Sequence, residues 1–286
     1  MTSKTLLSIH PTKRAQVGDG FPIRRAFPGH GVPSFDPYLV LDHAGPVQIR
    51  PSEVPKGVDE HPHRGFETVS LVYQGALEHR DSAGNNGKLF EGDVQWMTAA
   101  SGLVHEEKHE REFSRNGGTL EMIQLWVNLP AKYKMEPPKY QDISSKDIPH
   151  YKLSEHAYLR VIAGEYAGIQ GAAETHTPLL LGDVRFEKAG EVELNFQPGW
   201  SLAVYLLSGE LTLNENASMT EGHLAAFGQE DSRLLLESHG PATVLILSGE
   251  PIGEPVASYG PFVMNTREEL QQAFQDYQAG KMGRLS

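Results

Sequence analysis

The chain of 286 residues contains no cysteine. That removes disulfides, zinc-finger and iron–sulfur ligation and thiol nucleophiles at once. Any metal must then be held by imidazole and carboxylate, and 13 histidines are present to supply the first. Positive charge is scarce too: 25 Lys and Arg stand against 37 Asp and Glu, a formal net charge of −12. An acidic chain without a basic run offers nothing to a phosphate backbone, so direct DNA or RNA binding is not expected. Long apolar runs are also missing. The opening MTSKTLLSIHPTKRAQ has only Leu6 and Leu7 where a signal peptide needs an extended apolar stretch, and no membrane span is predicted anywhere. These absences point to a soluble, cytoplasmic protein. What the chain has in quantity is turn formers, 29 Gly and 19 Pro. With this length they suggest either two domains or one large β domain with short elements.

Short alternating runs recur to about residue 250. Glu67 to Tyr73 reads ETVSLVY, placing Val69, Leu71 and Tyr73 on one face at the strand period of two. Leu120 to Leu129 puts Ile123, Leu125, Val127 and Leu129 on one side and Met122, Gln124, Trp126 and Asn128 on the other. The second face could line a cavity, although a solvated sheet face is the plainer reading. Gly- and Asn-rich turns separate the runs, as in a sandwich or barrel. Between 128 and 150 the chain turns proline-rich, so residues 131–150 are expected to form an extended linker between a domain at 1–130 and another at 151–286. The halves resemble one another. LVYQGAL at 71–77 parallels YLLSGEL at 205–211, an offset of 134, and Glu91-Gly92 parallels Glu221-Gly222, an offset of 130. The end differs: Thr266-Arg-Glu-Glu269 reads as a capping box, followed by Leu270, Ala273, Phe274 and Tyr277 at helical spacing and Gly280 as a stop.

Five histidines fall between 61 and 109: His61, His63, His79, His105 and His109. In a strand, His61 and His63 point to the same face, and so do His105 and Glu107. Two antiparallel strands offering His/His and His/Glu can converge on one ion, leaving two positions of an octahedral metal open for oxygen or a chelating substrate. The HxH pair alone reads as a pair of solvated loop histidines; the second pair at this spacing turns the reading to metal. His105-Glu-Glu-Lys-His109 also matches the HExxH protease signature. That motif needs a helix with apolar flanks, which EEKHEREF does not supply, and it leaves His61 and His63 unexplained. His43 in LDHAGP reads as a loop residue or a border of the site, and Arg64 and Asp93 as outer groups behind the ligands or plain surface charges.

His61-x-His63-x3-Glu67 with Gly75, then Gly92-x9-Gly102-x2-His105, resembles the two cupin motifs. The fuller strings HPHRGFETVS (61–70), GDVQWMTAASGLVHEE (92–107), IQLWVNLP (123–130), YGPFVMNTREEL (259–270) and FDPYLVLDHAGP (35–46) resemble the pirin family. One departure from the general cupin pattern is Ala100, where a proline is usual. The resemblance implies an all-β bicupin, two tandem cupin β-barrels with a C-terminal α-helix. It implies iron in the N-terminal barrel, held by His61, His63, His105 and Glu107, with Glu67 unused. Fe(II) is the expected metal, with Mn, Ni, Co or Zn as alternatives. In the second half the offsets put Asn195 and Gln197 at the places of His61 and His63, and Leu235 and Glu237 at those of His105 and Glu107, so that barrel is expected to lack the ligands. His223 and His239 read as ordinary surface or loop residues. The resemblance further implies quercetin 2,3-dioxygenase-type cleavage of a flavonol with O2. Glu107 would be the general base, beside an apolar pocket of Phe66, Met97, Met122 and Trp126. A metal-dependent, redox-sensing regulator that binds a protein partner, a transcription or metabolic cofactor, is the alternative.

Overall fold

The structure, a computed structural model, describes residues 3–19, 21–29 and 35–285. Strands dominate it, and its two α-helices among the described residues are Arg111–Asn116 and Arg267–Gln278. No helix among them is long and apolar enough to cross a membrane.

The chain forms two compact β units, which fits the expected pair of barrels but not the expected cut between them. One unit comprises Arg14–Arg25, Tyr38–Ser145 and Ile252–Ser286, the other Met1–Lys13, Ala26–Pro37 and Lys146–Pro251. In the first, a seven-stranded sheet runs in the order Lys139–Ile143, Val94–Thr98, Phe66–Gln74, Gly118–Asn128, Tyr38–Ile49, Phe21–Phe27, Lys13–Val17. A four-stranded sheet runs Gly57–His63, Leu103–His109, Leu77–Asp81, Asn86–Leu89. In the second, the seven-stranded order is Leu6–Pro11, His223–Phe227, Ser201–Ser208, Ala242–Gly249, Leu179–Phe186, Ala157–Ala163, His150–Lys152, and the four-stranded order is Gly190–Asn195, Arg233–Ser238, Glu210–Leu213, Ala217–Thr220. Position by position the two units repeat, and Phe66–Gln74 maps onto Ser201–Ser208 at the offset of 134 read from the sequence. The exception is the edge strand. Leu6–Pro11 supplies in the second unit what Lys139–Ile143 supplies in the first.

The expected linker is therefore partly structural. Lys139–Ile143 pairs antiparallel with Val94–Thr98, with Tyr140 across from Met97 and Asp142 across from Gln95. The pairing satisfies backbone groups of Val94–Thr98 that a linker in solvent would leave bare. In the second unit the register also departs from the sequence offsets: Asn195 faces Arg233, and Leu235 faces Glu193.

Within the first unit, Phe66–Gln74 is paired along both edges, with Val94–Thr98 and Gly118–Asn128, and nearly every one of its residues is buried. The mixed face of Gly118–Asn128 points inward rather than to solvent. Met122 and Asn128 are buried, and Gln124 and Trp126 are half-buried. The helix Arg267–Gln278 begins at the expected cap, with Glu269 N donating to Thr266 Oγ1 (3.1 Å) and Thr266 N to Glu269 Oε2 (2.9 Å). Its Leu270 and Ala273 pack with Val104, Phe262, Met264 and Met282.

Candidate metal centre

The strands Gly57–His63 and Leu103–His109 lie antiparallel, with His105 directly across from His61 and Leu103 across from His63. This register brings the three imidazoles to one point: a ring nitrogen from each of His61, His63 and His105 lies within 4.8 Å of the other two. The Nε2 atoms of His61 and His63 are 3.1 Å apart. His61 Nδ1–H donates to the Asp59 carbonyl at 2.8 Å, and His63 Nδ1–H reaches the Pro261 carbonyl at 3.4 Å. With the proton held on Nδ1, both rings present an Nε2 lone pair inward. His105 is fully buried, and neither of its ring nitrogens has a hydrogen-bond partner. An orphaned buried imidazole is costly in a metal-free protein and natural in a ligand. Burial, reinforced by the neighbouring imidazoles, holds His63 and His105 well below the ordinary histidine value, in the neutral form that ligates. The three-histidine donor set thus fits a divalent first-row metal.

Glu107 lies outside that cluster. It sits two residues along the same strand from His105, across from His79, with an irregularity in the pairing to Gly57–His63 between His105 and Glu107. Its Oε1 is 3.2 Å from Ser70 Oγ, which in turn is 2.8 Å from Gln124 Oε1; the single hydroxyl proton serves one of them at a time. Glu107 also lines a cleft of about 50 Å³ with Val17, Phe21, Ile23, Val58, Met122, Asp42 and Gln124. Asp42 is held there by a two-pronged contact from Arg25, at 2.7 and 2.6 Å. Of the expected apolar pocket, Met122 alone lines this cleft. Phe66 and Trp126 lie tilted against each other, ring centroids 4.3 Å apart, and flank His63, whereas Met97 packs with Ala99, Leu103 and Tyr140.

The other sequence candidates separate cleanly. His105-Glu-Glu-Lys-His109 lies on a strand, which excludes the helical protease geometry. His109 is a core residue, edge-on to Phe21 at 5.4 Å. His79 stacks on Tyr140 at 5.4 Å, with its Nε2 3.4 Å from Asp142 Oδ1. His43 is in a strand rather than a loop, buried between Arg24 (3.1 Å) and Glu121 (3.1 Å). Glu67 is fully buried and accepts from Thr98 Oγ1 at 2.6 Å. Asp93 is a turn residue that accepts from Phe90 N and Ser145 N. His223 and His239 hydrogen-bond Thr220 and Thr212 near the surface. Arg64 is buried against Ser101 and Asp276. The sequence reading missed Ser70 as a partner of Glu107, for which the inward strand face was the available signal, and Pro261 as a partner of His63, for which there was none.

Two family models match the chain: the pirin model over residues 20–127 and the pirin C-terminal cupin domain over residues 181–283. A Pseudomonas aeruginosa protein, provisionally named a quercetin 2,3-dioxygenase, is 47% identical over 97% of this chain and 98% of its own length. Human pirin is 34% identical over 99% of this chain and 94% of its own. The crystal structure of an Acinetobacter baumannii protein named quercetin 2,3-dioxygenase superposes with a TM-score of 0.96 at 42% identity, each chain covered in full. With two cupin domains, a three-histidine cluster in the first of them, and relatives matched along nearly their whole length, the chain belongs to the pirin family.

Proposed function

We propose that the protein is a metal-dependent dioxygenase of the quercetin 2,3-dioxygenase type, with His61, His63, His105 and Glu107 as the ligand set and Glu107 as general base. The observation that carries the reading is the convergence of three imidazoles on one point, with the Glu107 carboxylate two residues along the strand from His105. Similarity to proteins bearing the quercetin 2,3-dioxygenase name supports the substrate class. Family resemblance puts Fe(II) first, and a set of three nitrogens and one oxygen is compatible with Mn, Ni, Co or Zn as well. When bound, the metal supplies Lewis acidity toward the flavonol 3-hydroxyl and redox chemistry toward dioxygen.

The rest of the work falls to side chains. Glu107 takes the 3-hydroxyl proton, and the Ser70 hydroxyl, when it donates to Glu107 rather than to Gln124, fixes the direction of its carboxylate. Val17, Phe21, Ile23, Val58 and Met122 give the aromatic substrate an apolar wall that keeps water from the reacting ring. Ring opening then consumes one O2 and releases carbon monoxide. The test is to mix Fe(II)-loaded protein with quercetin under air and follow flavonol absorbance and oxygen uptake. Loss of absorbance beyond that of a chelator-stripped control is expected, and its absence removes the proposal. In Glu107→Gln, turnover is expected to fall by roughly 10²-fold or more while some metal is retained by the three histidines; undiminished oxygen uptake would contradict the base role.

One observation favours a second reading. The cleft of about 50 Å³ is far below the roughly 300–1,000 Å³ of ordinary small-molecule sites, so a flavonol has to displace wall side chains. A metal-dependent regulator that docks on a protein partner needs no such opening. Unchanged quercetin in the same assay, with metal stoichiometrically bound, selects it.

A further inference from the structure

The segment after the second barrel, from Ile252 onward, belongs to the same compact unit as the histidine cluster, although about 190 residues of chain separate it from His63. We infer that this segment is a positioning element of the metal centre, with Asp276 acting through Arg64 to hold His63. The inference rests on the reading of that centre as a metal site.

Arg64 follows His63 directly and is buried. Its Nε donates to the Ser101 carbonyl at 2.7 Å, in the turn that leads into the strand of His105, and one terminal nitrogen donates to Asp276 Oδ2 at 2.9 Å. A single guanidinium thus fastens the strand of His61 and His63, the approach to His105 and the C-terminal helix. The other oxygen of Asp276 accepts from Gln272 (2.9 Å) and Lys281 (2.7 Å), which leaves Oδ2 to Arg64. Next to this pair, the backbone repeats the link. Arg64 N donates to Pro261 O (3.4 Å), and Val263 N donates to Arg64 O (3.0 Å). Pro261 O is the same carbonyl that His63 Nδ1–H reaches. The atom that selects the His63 tautomer is therefore held in place by contacts to Arg64. The approach is close: a Cβ at Gly65, whose φ is +87°, would stand 1.9 Å from Val263 O. On the side of His105, Ser82 Oγ donates to Met282 O at 2.7 Å while accepting from Val104 N, and Val104 packs against Phe262 and Met282.

Outer contacts of this kind, when removed, typically cost 10–100-fold in metal affinity. The experiment is a titration of full-length metal-free protein with CoCl2, following the visible d–d bands, with circular dichroism and thermal melting of the metal-free form as the folding control. Asp276→Asn is expected to stay folded, bind Co(II) roughly 10–100-fold more weakly and shift the bands. Asp276→Glu is expected to recover part of the affinity. Lys281→Ala, which removes a neighbour of Asp276 but not its bond to Arg64, is expected to match the wild type. Equal affinity and an identical spectrum in Asp276→Asn would overturn the positioning role while the metal site stands. A wild-type protein that binds no Co(II) would overturn the site itself. If Asp276→Asn unfolds below the assay temperature, Arg64→Lys carries the same comparison, since it keeps the charge and drops the fork.

Discussion

His105 buries two ring nitrogens without hydrogen-bond partners. Replacing it by leucine removes that burden, so the sign of the effect depends on metal. In urea denaturation with chelator, His105→Leu is expected to be at least as stable as wild type, offsetting a penalty of about 1–3 kcal/mol. With metal present, the wild type is expected to gain stability and the variant not. Lys134 makes a second residue-scale case. Its ammonium is buried and donates to Gly65 O (2.6 Å), Asn128 Oδ1 (2.7 Å) and Val263 O (3.1 Å). Burial lowers it from 10.5 to about 8. The unfolded chain therefore binds more protons between those values, and the contribution of Lys134 to stability rises with pH across that window. Urea midpoints at pH 7.5 and 9.5 should show this rise in wild type and its loss in Lys134→Met. The three histidines were legible because strand periodicity is local: residues two apart share a face whatever the rest of the chain does. His43–Glu121 and Arg64–Asp276 were not, because they join residues 78 and 212 positions apart, and no local pattern carries such a pairing.

Among the elements, the C-terminal helix is the one most completely specified by its own sequence. Thr266→Ala removes the cap hydrogen bond and is expected to cost about 1 kcal/mol, read from the shift in urea midpoint at unchanged slope. The strand Lys139–Ile143 shows the opposite case. Flanking Pro137 and Pro138 made its surroundings read as a spacer, and its five residues are too few for alternation to outweigh that signal. What makes it a strand is the edge of Val94–Thr98, which the sequence does not display. Likewise, the inward face of Gly118–Asn128 mixes Met, Gln, Trp and Asn, a composition equally suited to a wet surface. Only coverage on that side by the rest of the unit decides the matter.

On the scale of the whole molecule, the histidine cluster lies in one of two compact units, and metal binding adds stability in proportion to the logarithm of free metal over its dissociation constant, about 2.7 kcal/mol at a hundredfold excess. Calorimetry of loaded and chelator-treated protein is expected to show a transition that moves with metal and a second that does not. A single transition moving as one would show instead that the units unfold together. The repeat was legible from two short matches because turns such as Gly75 and Gly209 sit at fixed places relative to the strands, both at positive φ. The assignment of the ends was not, because each unit borrows its edge strand from outside the repeat. Neither repeat is self-sufficient. A fragment ending at residue 130 loses Lys139–Ile143 and everything from Ile252 onward, and a fragment starting at 151 loses Leu6–Pro11. Each exposes a row of unpaired backbone groups, a template for association with other chains. The proline-rich stretch that looks like a seam is thus a poor place to divide the gene.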